Sequence, residues 1–162
     1  ILNWGNKRKS WILVLLLLLI ACEPDDICLD SIEDTPKLIL RFFDKETTKL
    51  KSVTNFQISS LDSDNSLFFS ETDSIVIPLN HNTDLSNFNF TINSSNTNSN
   101  SDNILINYNR NPIYKSVGCG YILNYTIESL IIEKDNNNWI DRYNIYKSNI
   151  ENETTRHIEI FH

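Results

Sequence analysis

Glycine is scarce: the chain has three, and past residue 21 only Gly118 and Gly120 remain, on either side of Cys119. Turns that need a positive φ must therefore draw on Asn and Asp, the next residues to tolerate it. Asn is correspondingly abundant. Methionine is absent, so the natural start is expected upstream of Ile1 or in a non-standard form. No window sustains a helical period of apolar residues past the first 21, which argues against an α or α/β fold. Basic charge is also short. Lys7, Arg8 and Lys9 lie in the first 21 residues, leaving 11 basic against 21 acidic residues beyond them, a formal charge of −10. That balance excludes a nucleic-acid partner, since such affinity comes from basic groups neutralising phosphates. It also excludes electrostatic attachment to an anionic membrane.

Long apolar runs are missing too, with one exception. Residues 11–21 (WILVLLLLLIA) are uninterrupted and follow the basic cluster. As a helix, eleven residues would reach about 17 Å at ~1.5 Å each, short of the roughly 30 Å of a hydrocarbon core. The stretch is expected to be the signal helix of a secreted precursor. It closes on Leu19-Ile20-Ala21-Cys22, which resembles a bacterial lipobox: aliphatic, variable, small, then a cysteine that accepts lipid before cleavage. Two or three acyl chains on Cys22 would anchor durably where one would not, each methylene contributing ~0.8 kcal/mol. Glu23-Pro24-Asp25-Asp26 follows; it is similar to a surface-export signal and reads equally as a solvated spacer. The expected organisation is a lipoprotein signal peptide (1–21), a lipidated acidic tether (22–36) and a single β domain (37–162). The expected place is the outer membrane, on its periplasmic face or at the cell surface.

With Cys22 taken by lipid, Cys28 and Cys119 remain. Export to an oxidising compartment favours their pairing as a disulfide over two free thiols. No CxxC or HxH spacing accompanies them, so no metal site is expected.

Strands are expected where apolar side chains alternate. These are residues 37–43 (KLILRFF), 53–61, 74–79 (SIVIPL, with Pro78 marking an edge or a strand end), 88–92, 104–109, 121–132, 139–146 and 157–161. The run at 121–132 is apolar on both faces near its end and is expected to be central. Turn clusters are expected at 62–65, 80–82, 135–138 and 149–155. The low-complexity stretch 93–103 (NSSNTNSNSDN) is expected as a mobile loop. Seven or eight such strands point to an antiparallel β-sandwich of the Ig-like or transthyretin-like kind.

Candidate chemistry is thin. His81, His157 and His162 are the histidines; 157 and 162 differ by an odd number and would face opposite sides of a strand. His157 and Glu159 share a face and would form an exposed pair. There is no Gly-x-Ser-x-Gly, Asp62-Ser63-Asp64-Asn65 lacks the rest of a calcium loop, and no catalytic residue or cofactor is expected. Trp139 and Tyr143, placed on one strand face, would stack on a sugar ring if exposed and serve as core if buried. Asp73-Ser74-Ile75 resembles an O-glycosylation sequon.

Taken in order, residues 22–28 (CEPDDIC), 35–44 (TPKLILRFFD), 51–55 (KSVTN), 72–79 (TDSIVIPL), 119–121 (CGY) and 157–162 (HIEIFH) resemble a lipoprotein family of the Bacteroidota, domain of unknown function 6452. The resemblance implies a lipid anchor and an extracytoplasmic β domain, and supplies no activity. The expected role is a non-enzymatic envelope lipoprotein that binds or scaffolds a protein partner. Glycan binding through Trp139 and Tyr143 is the alternative, and an extracytoplasmic enzyme a more distant one.

Overall fold

A computed structural model describes Cys28 and residues 34–162 of the chain. The expected signal helix, Cys22 and most of the tether lie outside the described residues. By their contacts the described residues form two compact units, one of residues 34–113 with Ile122–His162, the other of Cys28 with Tyr114–Tyr121.

Among the described residues there is no helix, and ten strands follow in order: β1 (Leu38–Phe43), β2 (Val53–Ser60), β3 (Ser66–Thr72), β4 (Ser74–Ile77), β5 (Leu85–Ile92), β6 (Asn100–Ser116), β7 (Gly120–Ile132), β8 (Arg142–Ile145), β9 (Asn149–Ile150) and β10 (Ile158–Phe161). They make a four-stranded sheet, β4-β1-β10-β8, and a six-stranded sheet, β3-β2-β5-β6-β7-β9. One hydrophobic core joins them. Alternation explains which side chains enter it. Leu38, Leu40 and Phe42 leave one face of β1 fully buried, and Phe88 and Phe90 do so from β5, with Ile104, Ile106 and Tyr108 from β6. Phe42 and Phe56 meet edge to face across the two sheets, ring centres 5.2 Å apart, the geometry that aromatic quadrupoles favour.

The sheets are not wholly antiparallel. β1 pairs with β10 in parallel, Leu40 opposite Ile158, which sets the C-terminal strand inside the four-stranded sheet. All four residues of β10 are buried, Ile158 and Ile160 in the core and Glu159 and Phe161 under the side chains of Arg156 and Arg142. Pro78 lies just past the end of β4, itself an edge strand, where a residue without an N–H costs no ladder bond.

Asn supplies the positive φ that glycine does not. Among the described residues four non-glycine residues lie in that region, and three are Asn55, Asn93 and Asn136; Thr48 is the fourth. Asn55 lies inside β2 at φ 45°, where it breaks the alternation so that Val53 and Phe56 both reach the core. Thr48 closes the turn after β1. There the Asp44 carboxylate accepts from the amides of Glu46 and Thr47, and these bonds, with Lys51 at 3.1 Å, hold it well below the usual carboxylate range.

Several expectations change. β3 falls where no strand is expected, because Leu67-Phe68-Phe69 has no period of two and the strand, at a sheet edge, is mostly exposed, with Phe69 packing against the core. β9 falls inside the expected turn cluster 149–155; it is two residues long and buries Ile150. Of the stretch 93–103, expected as a loop, only 93–99 lies outside the strands, since Asn100 to Asn103 already pair with β5. The expected strand 139–146 shortens to β8, leaving Trp139 in the preceding loop. β7, expected to be central, is bordered on one side by β9 alone.

Candidate functional site

At one end of the sandwich the turn 62–65, between β2 and β3, and the segment 78–82, after β4, flank a half-open cleft of about 580 Å³. Its floor is the end of the core: Ile58, Ile77, Leu79 and Phe88, each nearly buried. Buried polar groups beside the floor are fixed by one another. The Ser86 hydroxyl accepts from the Asn80 amide and lies 2.8 Å from the Tyr108 hydroxyl, which donates to the Asn80 carbonyl. The Asp62 carboxylate accepts from the Asn87 amide, tying the turn to β5. Among the described residues no Lys, Arg or His lines the cleft, and Asp62 is the one charged group there. It suits an apolar, neutral or cationic group and gives an anion no partner.

The expected disulfide is present: Cys28 and Cys119 are bonded, with Cα atoms 4.7 Å apart. Cys119 stands in the turn between β6 and β7, its amide held by the Ser116 hydroxyl, and Gly120 next to it has φ 68°, a conformation that suits glycine.

Trp139 and Tyr143 do not share a strand. Trp139 is half-buried against the core; its indole N–H donates to the Phe90 carbonyl at 3.0 Å and its ring lies near Phe42, Phe56 and His162. Tyr143 lies opposite Ile160 at the sheet edge and is 38% exposed. The expected exposed pair of His157 and Glu159 is corrected as well. His157 is fully buried, because β10 runs inside the sheet; its Nδ1 accepts from the Ile39 amide, and burial lowers its pKa. Glu159 instead accepts from Arg156 Nε at 2.6 Å and from the Asn144 amide group. Arg156 stacks over Tyr146 and Arg142 over Phe161, so guanidinium groups cover the outer side of this sheet. His81 is exposed, and His162 Nε2 lies 3.3 Å from the Lys51 carbonyl. The Ser74 hydroxyl, in the sequon-like triplet, donates to the Leu40 carbonyl. No cluster of three or more metal-ligating side chains occurs among the described residues.

Sequence reasoning passed over Asp102, which sits in the stretch read as a loop. It is 1% exposed in β6, and one carboxylate oxygen accepts from the Ile140 amide while the other has no partner. It thereby fastens the loop that carries Trp139 and Ile140. Burial raises its pKa above the ordinary 3.8, with the Ile140 bond opposing. Between 3.8 and the raised value the native chain holds a proton that the unfolded chain has released. Stability from this group is therefore greatest below that window and falls as pH rises through it. Asp102→Asn keeps the acceptor for Ile140 and carries no charge, so it should remove that falling component. Asp102→Ala strands the Ile140 amide and should cost about 1–3 kcal/mol. Urea unfolding of both variants from pH 4 to 7 checks this, and an Asp102→Asn profile parallel to the parent's would contradict it. His157 contributes with the opposite sign, since its lowered pKa means stability is lost as pH falls through 6.5, the ordinary value.

Residues 52–162 match a family model described as Family of unknown function (DUF6452). No curated protein and no solved structure matches the chain. The matched segment runs from the residue before β2 to the last residue, and so takes in the cleft, Cys119 and Asp102. The chain belongs to this family of unknown function.

Proposed function

We propose that the protein is a lipid-anchored lipoprotein of a Bacteroidota envelope, held at the outer membrane by acyl chains on Cys22, with a non-enzymatic role. In this reading the β domain, a sandwich of the Ig-like or transthyretin-like kind, binds or scaffolds an envelope protein. The observation that carries it is the order of Lys7-Arg8-Lys9, an apolar run of eleven residues and Leu19-Ile20-Ala21-Cys22. The Cys28–Cys119 bond supports it, because such bonds persist in exported proteins and are rare in the cytosol. The cleft gives the partner a seat: an apolar side chain can reach Ile58, Ile77 and Phe88 while the rim's hydroxyl and amide groups meet its backbone. The glycan reading loses its motive, since the indole of Trp139 is engaged with the core.

A photo-crosslinking residue at Leu67, on the cleft, tests the proposal in intact cells. The expected result is one reproducible envelope protein captured from position 67, not from position 134 in the loop after β7, and lost when Cys22→Ala prevents anchoring. Capture that is irreproducible, or equal from both positions, would overturn it.

A further inference from the structure

The stretch Tyr114–Tyr121 is the turn of the β6–β7 hairpin with its flanking residues, and it is unusually apolar on its surface. Val117 is 73% exposed, Tyr121 68% and Tyr114 54%. The two tyrosine rings meet edge to face at 5.3 Å, which makes them a preformed pair. Charge sets the stretch apart as well. No Asp or Glu occurs between Asp102 and Glu128, in a chain with 21 of them, while Arg110 and Lys115 fall in that interval. Cys119 in the turn is bonded to Cys28, and Cys28 is six residues from Cys22. Six residues span at most roughly 22 Å fully extended.

We infer that the hairpin tip Tyr114–Tyr121 rests in the headgroup layer of the phospholipid bilayer that holds the acyl chains of Cys22. The inference rests on the proposed lipidation. The disulfide turns the tether into a short leash ending at the tip, so that lipid is always within reach. Tyrosine suits this layer, where an apolar ring meets lipid and its hydroxyl meets water. Val117 adds an apolar contact, and Lys115 can lay its stem along the surface with its ammonium among the phosphates.

The test uses the lipidated protein, disulfide intact, in phosphatidylcholine vesicles whose acyl chains are brominated near the headgroup. Val117→Trp supplies the probe at an exposed position. Once the leader with Trp4 and Trp11 is removed, Trp139 is the remaining native tryptophan and serves as the internal reference. The expected result is that Trp emission from position 117 loses most of its intensity relative to unbrominated vesicles while the parent protein barely changes. Reducing the Cys28–Cys119 bond should restore part of the loss. Unquenched emission from a protein whose N-terminal peptide carries acyl chains overturns this inference alone. A bare Cys22 overturns it together with the anchor.

Discussion

Replacing Cys28 and Cys119 together by serine is expected to lower the unfolding free energy by about 4–5 kcal/mol, from the chain-entropy relation for a ring of this size. The bonded residues are 91 apart in sequence, so the ring encloses β1 through β6. Few other covalent links in the chain could restrict the unfolded state as much, since closure entropy grows with the length enclosed. The native sheets need not change. Their ladders and the Phe42–Phe56 contact are independent of the sulfurs. Against a total of roughly 5–15 kcal/mol for a domain, such a loss leaves a marginal fold. Urea unfolding of the parent with and without reductant, beside the double variant, measures it. A midpoint that reductant leaves unmoved would contradict the prediction.

Phe56→Ala should cost about as much, roughly 3–5 kcal/mol, by a different route. Phe56 is fully buried and holds the aromatic centre together: ring centres of Phe42, Phe90, Trp139 and Phe69 stand 5.2, 5.4, 6.0 and 6.3 Å away. Alanine removes the transfer energy of the ring and leaves a cavity that two sheets with fixed ladders cannot close. Phe68 is the matched control. It lies on the edge strand β3 and is 55% exposed, so Phe68→Ala should stay within about 0.5 kcal/mol. Chemical denaturation of both variants compares them directly. Equal losses would mean that the core is not centred on Phe56.

The strands legible in the sequence are those with one buried and one solvated face. Leu38, Leu40 and Phe42 in β1, and Phe88 and Phe90 in β5, alternate because one side meets the core and the other meets water. Where that asymmetry fails, so does the pattern. β3 is exposed along most of its length and β9 is too short to show a period, while β10 was legible as a strand at 157–161 and only its burial on both faces was not. The parallel pairing of β1 with β10 links residues 118 apart at Leu40 and Ile158, a relation that no local spacing encodes. Asn55 was foreseeable in kind, since a glycine-poor chain needs Asn at positive φ, but its position within β2 was not.

Less of the candidate site could be read ahead. The disulfide followed from cysteine arithmetic and compartment. The cleft did not, because its floor is made of ordinary core residues and its shape depends on where the segment 78–82 stands against the turn 62–65. Asp102 was hidden by composition: a lone acid among Asn and Ser looks solvated, and only its pairing opposite Phe90 buries it. His157 differs from its exposed expectation for a related reason, and Trp139, core as one of its two readings has it, stands in a loop instead of on a strand with Tyr143; both settings depend on which strand or loop closes over them.

The placement of this protein in an envelope turns on the thiol of Cys22, and the mass of the N-terminal peptide of the protein expressed in a bacterium that processes lipoproteins tests it most directly. The expected peptide begins at Cys22, lacks residues 1–21 and carries the mass of a diacylglyceryl group with or without a third acyl chain. A peptide that begins elsewhere, or a Cys22 with an unmodified thiol, would contradict the account.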